Sequence, residues 1–272
     1  MSEKPPFTDL QISDQHAVRY LTLNRPASKN GLTVELVSAL KQAILDAGEE
    51  GSVRAVVLTG SGGSFCSGLD LKAAVEMVQS MHSQDAGSPT LSNEDRMRNY
   101  FHGLIRAVRN ISKPVIAFVD GPAAGFGCDL ALACDLRIGT KAASFAELFV
   151  RRGLMPDGGS TYTLPRLVGV GKALELMMLG DAVPADEALR LGLLNSIVDG
   201  AEAAGQYAGR LAAGPPLVLR EIKRAVYAAL DSSLEEALEH EVRGQMKLLR
   251  TADFAEGMNA FFNKRPPHFT GH

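Results

Sequence analysis

The sequence predicts an α/β fold with a helical C-terminal region, and three observations support this. Apolar runs typical of buried strands fill the first two thirds of the chain, helical periodicity fills the last third, and glycine-rich turns join strands to helices. With 272 residues, 46% of them hydrophobic, the chain can bury a large core as one domain or as a domain with an appendage. We predict a core with the functional site over residues 1–200 and a helical region over residues 201–272.

The first part of the chain alternates predicted strands with helices. Strands are predicted over Leu10–Ser13, Ala17–Leu23 and Val53–Thr59, and amphipathic helices from an N-cap at Thr33 to Gly48 and over Glu94–Asn110. Between them, Met81–Asn93 is rich in polar and small residues, which is typical of a mobile loop or of a lid that covers a site.

A strand, a glycine turn and a helix start form the central stretch. Pro114–Val119 is an apolar run rich in Val, Ile and Phe, which indicates a buried strand. Gly125 and Gly127 remove Cβ atoms where the chain then bends into a helix. Amides of a first helical turn have no partner within the helix, so they can face an anionic oxygen. The alternative is a plain turn whose glycines serve close packing.

Later segments are short strands followed by helices. Strands are predicted over Leu136–Thr140, Ser144–Leu148 and Asn195–Val198. Helices are predicted over Thr161–Gly180 with an interruption at Pro165, over Pro184–Leu191, and from Ala201 to Phe262 with breaks at Gly214–Pro216 and near Leu249–Ala252.

Composition excludes several classes of partner. A net charge of −3 and a pI near 6.1 give no footprint for nucleic acid, and no uncharged run approaches the length of about 20 residues that a membrane span needs. The glycines of Gly60–Gly63 lack the Gly-Lys-Ser/Thr of a phosphate loop, and the six scattered histidines have no metal-ligand spacing. We therefore expect no metal and no redox cofactor. The odd set of Cys66, Cys128 and Cys134 is typical of buried thiols, which favours a cytoplasmic protein.

Two loops share one design that suggests acyl chemistry. Each runs from a strand through Ser67-Gly68-Leu69 or Gly125-Phe126-Gly127 towards a helix. If the loops adjoin, the amides of Leu69 and Phe126 converge on one oxygen and form an oxyanion hole without any side chain.

Four motifs carry a resemblance to a known family, and they occur in order over essentially the whole chain. They are Phe65–Leu71, Lys113–Asp135, Gly153–Gly159 and Lys264–Gly271. The chain resembles the crotonase superfamily, the enoyl-CoA hydratase/isomerase enzymes. The resemblance implies a spiral of ββα units with a helical C-terminal region that serves oligomerisation or covers the site. It also implies trimers often paired into hexamers, and an acyl-CoA thioester whose carbonyl enters the hole of Leu69 and Phe126.

The acid and base residues depart from the hydratase pattern of that family. Typical hydratases carry two glutamates, which match Asp129 and Phe149 here, so the second carboxyl is missing. Asp157 stands where some dehalogenases and isomerases of the family have a catalytic aspartate. The Pro-Asp-Gly-Gly context and the closing Phe-Thr-Gly resemble the enoyl-CoA isomerases of phenylacetate breakdown. One carboxyl suffices to move a double bond, so we predict isomerisation by Asp157.

Physical reasoning supports Asp157 and leaves alternatives open. Its neighbours Leu154, Met155 and Pro156 bring no charge, so burial would raise its pKa towards a range where it takes and returns a proton. The alternative for Asp157 is a turn or N-cap residue. Asp129 could orient a water or complement its helix N-terminus.

Other activities and other acids are weighed against that prediction. A hydratase using Asp129 and Asp157, or an acyl-CoA binder without catalysis, remain alternatives, and a dehalogenase is disfavoured because tryptophan is absent. Asp120, Asp135 and Glu147 are interpreted as structural.

Coenzyme A would be part of the substrate and not a separate cofactor. The resemblance assigns its contacts to the loop of Arg25, Ala27 and Lys29, and to the segment of Ser67, Gly68, Asp70 and Leu71. Phe261 and Lys264 near the C-terminus are candidates for contact with coenzyme A bound to the same or to a neighbouring subunit.

Overall fold

The structure is a computed structural model, and it describes residues 8–70, residue 75 and residues 92–272. The predicted lid at Met81–Asn93 lies outside the described residues except for its last two positions, and Leu71 lies outside them as well.

Strands and helices follow the predicted order closely. The strands are β1 (Leu10–Gln15), β2 (Val18–Leu23), β3 (Ala55–Gly60), β4 (Val115–Val119), β5 (Pro122–Ala124), β6 (Leu136–Gly139), β7 (Ser144–Ala146), β8 (Val183–Pro184) and β9 (Ser196–Ile197). The helices are α1 (Val34–Glu49), α2 (Asn93–Arg96), α3 (His102–Asn110), α4 (Phe126–Ala133), α5 (Ser160–Val168), α6 (Val170–Leu179), α7 (Ala185–Leu191), α8 (Ala201–Ala212), α9 (Pro216–Ala229), α10 (Leu234–Leu248) and α11 (Ala252–Phe262). Pro26–Ser28 and Leu148–Arg152 are 3₁₀ helices, and Met97–Phe101 is a π-helical turn between α2 and α3.

The main sheet brings the two glycine loops to one edge. Its six strands have the order β1-β2-β3-β4-β6-β9, with β1 and β2 antiparallel as a hairpin and every other pair parallel. The loop with Gly68 follows β3 and the loop with Gly125 follows β4. Since β3 and β4 are parallel neighbours, both loops leave the sheet at the same edge, where ligands bind in open α/β sheets.

A second, three-stranded sheet lies beyond that edge and was missed by the sequence analysis. It has the order β5-β7-β8, and its strand β5 interrupts what was predicted as a plain turn between Val119 and Gly125. A single bridge between Cys66 and Ala123 ties the first loop to this sheet. Of its strands, the sequence analysis predicted β7, within Ser144–Leu148, but not β5 or β8, whose two or three residues carry little pattern.

Both faces of the main sheet are covered. One face packs on α1, α3 and α4 in the larger apolar core. The other face packs on α8, whose Ala204, Ala208 and Ala212 are buried against Val57 and Phe118. Alanines four residues apart form one small-residue face, so the helix can lie close to the strands. The division of the chain at residue 200 stays a prediction.

Helix ends follow local chemistry in most places. Thr33 is the N-cap of α1, as predicted, and its hydroxyl accepts a hydrogen bond from the Leu36 amide at 3.2 Å. The predicted interruption at Pro165 is wrong, because the break falls at Gly169, whose φ of 79° and ψ of 158° end α5. A further break that the sequence analysis missed precedes α10, where Ser233 forms a capping box with Glu236.

The helical C-terminal region is joined to the central strands through Asp135. This carboxylate accepts hydrogen bonds from the Val115 amide and the Tyr227 hydroxyl, each at 2.7 Å, and pairs with Lys223 at 2.8 Å. Asp135 therefore has the structural role expected of it. Among the described residues, no helix has the length and apolar character to cross a membrane. The cytoplasmic location stays a prediction.

Candidate active site

The two glycine loops meet as backbone against backbone. Gly68 has a φ of +90°, and a Cβ built on it would lie 2.9 Å from the Ala124 carbonyl oxygen and 3.2 Å from the Phe126 nitrogen. Within the described residues, the Leu69 and Phe126 amides donate no hydrogen bond to a protein acceptor. Two neighbouring amides without acceptors are what an oxyanion hole requires.

Hydrogen bonds on either side of each amide hold the loops in place. Leu32 donates to the Gly68 carbonyl at 2.8 Å and accepts from the Asp70 amide at 2.9 Å, so Leu69 is held from both neighbours. The Gly125 amide donates to the Ala146 carbonyl at 2.8 Å. Since Gly125 has a φ of 53° and a ψ of −130°, a conformation that L residues avoid, the turn needs glycine there.

Asp129 lies one turn into α4 and is 1% exposed. Its Oδ2 accepts a hydrogen bond from the Gly158 amide at 2.8 Å. A Cβ on Gly158 would lie 2.5 Å from the Asp129 Cβ, so a glycine is what allows this close approach. Burial raises the pKa of Asp129 to about 7, and the negative charge of Asp157 acts in the same direction. The Gly158 amide and the Ser160 hydroxyl oppose this rise.

Asp157 is half-buried in the loop before α5, and its Oδ1 is buried without a hydrogen-bond partner. Burial raises the pKa of this carboxyl, and the charge of His102 opposes that effect. Its main-chain oxygen lies 2.9 Å from Nε2 of His102. His102 thus approaches Asp157 from 55 residues away in sequence, beyond the neighbours Leu154, Met155 and Pro156 that the sequence analysis considered.

The helical segment carrying His102 also contacts the hole. The ring of Phe101 packs edge-on against Phe126, with centroids 5.2 Å apart. The π-helical turn ends at Phe101, directly before His102. Such turns occur often at functional sites. The sequence analysis missed His102 because no local pattern marks a histidine that meets a distant loop.

A third carboxyl lies in the same cluster, at the position that the sequence analysis interpreted as structural. Glu147 follows β7 and is 3% exposed, and neither of its carboxyl oxygens has a hydrogen-bond partner. Burial raises the pKa of Glu147 to about 8, and the charge of Asp129 adds to this effect. Phe149, where the hydratase pattern has a glutamate, is buried and apolar.

The segments assigned to coenzyme A lie against each other. Arg25 pairs with Asp70 at 3.0 Å, and the Ser67 hydroxyl donates to the Ser28 carbonyl at 3.0 Å. Ala27 lies in the 3₁₀ helix Pro26–Ser28, which follows Arg25. Lys29 has a left-handed conformation with a φ of 52°. The structure thus brings the Arg25–Lys29 loop and the Ser67–Asp70 segment together, and their contact with coenzyme A stays a prediction.

The two C-terminal candidates lie elsewhere in the chain's structure. Phe261 is 76% exposed and packs against Phe262, while Lys264 follows the end of α11 with a φ of 51°. Within the described residues, no hydrogen bond, ion pair or ring contact joins either to the Arg25–Lys29 loop. Their contact with coenzyme A stays a prediction. In the same part of the chain, no group of three or more His, Cys, Asp or Glu side chains is arranged to hold a metal ion.

Comparisons with known proteins agree with this geometry. The family model described as enoyl-CoA hydratase/isomerase matches residues 13–272. A probable enoyl-CoA hydratase of Rhodobacter capsulatus is 38% identical, covering 94% of this chain and 98% of that protein. The 1,2-epoxyphenylacetyl-CoA isomerase of Escherichia coli is 35% identical, covering 94% and 96%. The crystal structure of a putative enoyl-CoA hydratase from Streptomyces coelicolor A3(2) matches with a TM-score of 0.89 and 38% identity, covering 100% and 98%.

The chain belongs to the enoyl-CoA hydratase/isomerase family, within the crotonase superfamily, and has the crotonase fold. It is accordingly an enzyme of that family, whose named relatives include both hydratases and an isomerase.

Proposed function

We propose that this enzyme moves a carbon–carbon double bond in an acyl-CoA thioester. The observation that carries the proposal is Asp157, a half-buried carboxyl with a free oxygen, in the loop whose Gly158 amide bonds Asp129 one helical turn from the Phe126 amide. A base beside an oxyanion hole suits the removal of a proton from a carbon close to a thioester. The Escherichia coli relative named an isomerase lends support from the comparisons.

The reaction follows from these groups in two proton transfers. The thioester oxygen accepts hydrogen bonds from the Leu69 and Phe126 amides. Asp157 takes a proton from one carbon of the acyl chain, and the electron pair of that C–H bond passes into a dienolate held by the amides. Asp157 then returns a proton to another carbon, which leaves the double bond in its new position and the enzyme unchanged.

Binding of coenzyme A is assigned to the adjoining loops described above. The main contacts come from Arg25, Ala27, Lys29, Ser67, Gly68 and Asp70, with Leu71, Phe261 and Lys264 as further candidates. Arg25 pairs with Asp70 and with Asp9, 3.1 Å from its Nε, so its guanidinium is held in one orientation.

Self-association into a trimer or hexamer belongs to the same proposal. Large apolar side chains stand exposed on α6, among them Val170, Met178 and Leu179, at 59% to 66% exposure. Exposed apolar surface of this kind is typical of subunit contacts. Light scattering coupled to gel filtration measures the mass of the assembly, which should be three or six times that of one chain.

A hydratase is the second candidate, and one observation favours it. Asp129 and Asp157 each have a buried oxygen without a partner, and the negative charge of Asp157 raises the pKa of Asp129. Two carboxyls of different acidity can hold and activate one water. In this case, Asp129 and Asp157 would share the roles that two glutamates have in typical hydratases.

One assay separates these functions. A 3-enoyl-CoA and a 2-enoyl-CoA are offered separately while the absorbance of the conjugated thioester is followed. Isomerisation produces absorbance from the first substrate and leaves the second unchanged, whereas hydration consumes the second. Silence with both, while acyl-CoA esters still raise the melting temperature, identifies a binder without catalysis and overturns the proposal.

A further inference from the structure

Among the described residues, every buried side-chain oxygen or nitrogen without a hydrogen bond belongs to one cluster. These atoms are Oδ1 of Asp129, both carboxyl oxygens of Glu147, Oδ1 of Asp157 and Oγ of Ser160. Buried polar groups are ordinarily bonded, so their concentration at one place needs a physical account. The proposed reaction uses Asp157 and the hole, and it leaves Glu147 without a role.

Glu147 lies where an ionised carboxylate is unfavourable. Its side chain is 3% exposed and neither oxygen accepts a hydrogen bond. An ionised carboxylate there would be desolvated with no hydrogen bond to compensate, which is unfavourable. No cation in the described part of the chain forms an ion pair with it. The neutral, protonated form avoids this cost.

The charged groups facing Glu147 strengthen the same conclusion. Asp129 and the Cys128 thiol face it from α4, and the Ser160 hydroxyl faces it from α5; the thiol and the hydroxyl favour the ionised form, but burial and the charge of Asp129 outweigh them and raise the pKa of Glu147. Asp157 adds a further negative charge from the preceding loop. Each charged neighbour has the same sign as an ionised Glu147, so each one favours retention of its proton.

A small cavity adjoins Glu147 on the side of the second sheet. Its volume is about 10 Å³, room for about one water molecule. The lining is apolar apart from the thiol of Cys128 and the carboxyls of Glu147 and Asp181, and Asp181 already pairs with Arg151 at 2.8 Å. Glu147 is thus the cavity's carboxyl without an ion pair.

We propose that Glu147 keeps a proton at neutral pH, so that Glu147 and Asp129 together carry a single negative charge beside Asp157. Glu147 is a positioning residue, because it acts through Asp129 and does not touch the substrate. The consequence for catalysis rests on the proposed function. When Glu147 loses its proton, a second negative charge faces Asp157 and the dienolate, and formation of that anion becomes harder.

Spectroscopy tests the protonation without reference to activity. Infrared difference spectra between acid and alkaline pH follow the C=O stretch of protonated carboxyls in the intact enzyme. We expect the wild type to keep a protonated carboxyl at neutral pH that Glu147→Gln lacks, with an apparent midpoint that falls in Asp129→Asn. Glu202→Gln, which removes an exposed glutamate at the start of α8, is the matched control and leaves the band unchanged. An equal band in wild type and Glu147→Gln, or a midpoint unmoved by Asp129→Asn, overturns the proposal.

A second measurement covers the case in which Glu147→Gln does not fold. Carbon-13 NMR of wild-type enzyme labelled at glutamate carboxyls follows each titration directly. One glutamate is expected to titrate near neutral or mildly alkaline pH. Titration of every glutamate in the ordinary acidic range overturns the proposal.

Kinetics then tests the catalytic consequence. The kcat of the wild type is expected to fall at alkaline pH. At the same alkaline pH, the kcat of Glu147→Gln is expected to be about threefold to tenfold higher, the size of effect of one nearby charge. An alkaline limb that is the same in both enzymes contradicts this role. Absence of isomerisation in the wild type defeats the proposed function alone, because the spectroscopic result stands independently of it.

Discussion

The amide half and the carboxyl half of the candidate site are built in opposite ways. The amides of Leu69 and Phe126 are held by main-chain hydrogen bonds on neighbouring residues, such as Gly125 to Ala146 at 2.8 Å. The carboxyl half consists of side chains from separate segments with several unpartnered buried oxygens. The first half is therefore fixed before substrate arrives, while the second depends on where protons reside.

Substitution at Asp157 should produce the largest effect. Asp157→Asn keeps the shape and removes the base, so we expect kcat to fall by about 10³-fold, within the range for lost general acid–base catalysis. Binding of an acyl-CoA ester, measured by its effect on the melting temperature, should remain. Asp199→Asn, at an exposed position, serves as the control. Full activity of Asp157→Asn would contradict the carboxyl half of the comparison.

The amide half is tested by a pair of glycines in one loop. Gly68 and Gly63 have φ values of +90° and +72°, so alanine strains the backbone at both. A Cβ at Gly68 would collide with the Ala124 carbonyl beside the hole, whereas a Cβ at Gly63 would meet nothing within 4 Å. We expect Gly68→Ala to lower kcat by about 10²-fold, as for loss of an oxyanion donor.

Gly63→Ala should cost about 1 kcal/mol of stability and keep kcat. Equal kcat values in the two variants would show that the contact of the loops does not matter for the reaction.

The pH dependence of the free energy of unfolding tests the carboxyl half of the site without any substrate. Because the pKa of Glu147 is raised from 4.5 to about 8 on folding, the protonated form favours the folded state. That contribution is fully present below about pH 4.5 and is lost as the pH rises through about 8. At alkaline pH, Glu147→Gln should exceed the wild type in free energy of unfolding by up to about 5 kcal/mol, and Glu202→Gln should not. Urea titrations at acid and alkaline pH measure the difference, and a gap that stays constant with pH would argue against it.

The smallest expected effect concerns His102. His102→Gln removes a positive charge that lowers the pKa of Asp157, so this pKa should rise and the acidic limb of the kcat profile should move to higher pH. The weakened contact with the Asp157 main chain should reduce kcat about fivefold, as for a hydrogen bond of about 1 kcal/mol. An unshifted acidic limb would mean that this charge does not reach the base.

The same contrast explains what the sequence could predict. The glycine loops, the Thr33 cap and the order of strands and helices depend on neighbouring residues, so local pattern and resemblance were sufficient for them. His102 and Glu147 acquire their surroundings from segments distant in sequence, and no periodicity marks that. Pro165 shows the same limit, since α5 accommodates it and ends at Gly169, where the backbone itself turns.

The π-helical turn of Met97–Phe101 has a consequence for the angular register of its helix. Successive residues of an α-helix are rotated by about 100° about its axis. Removal of one residue from this turn would therefore rotate α2 by about 100° relative to α3. With α3 anchored in the core through Leu104 and Val108, the rotation would fall on the residues before it. The surplus residue thus sets the angular register of α2 relative to α3, while the orientation of His102 stays the same.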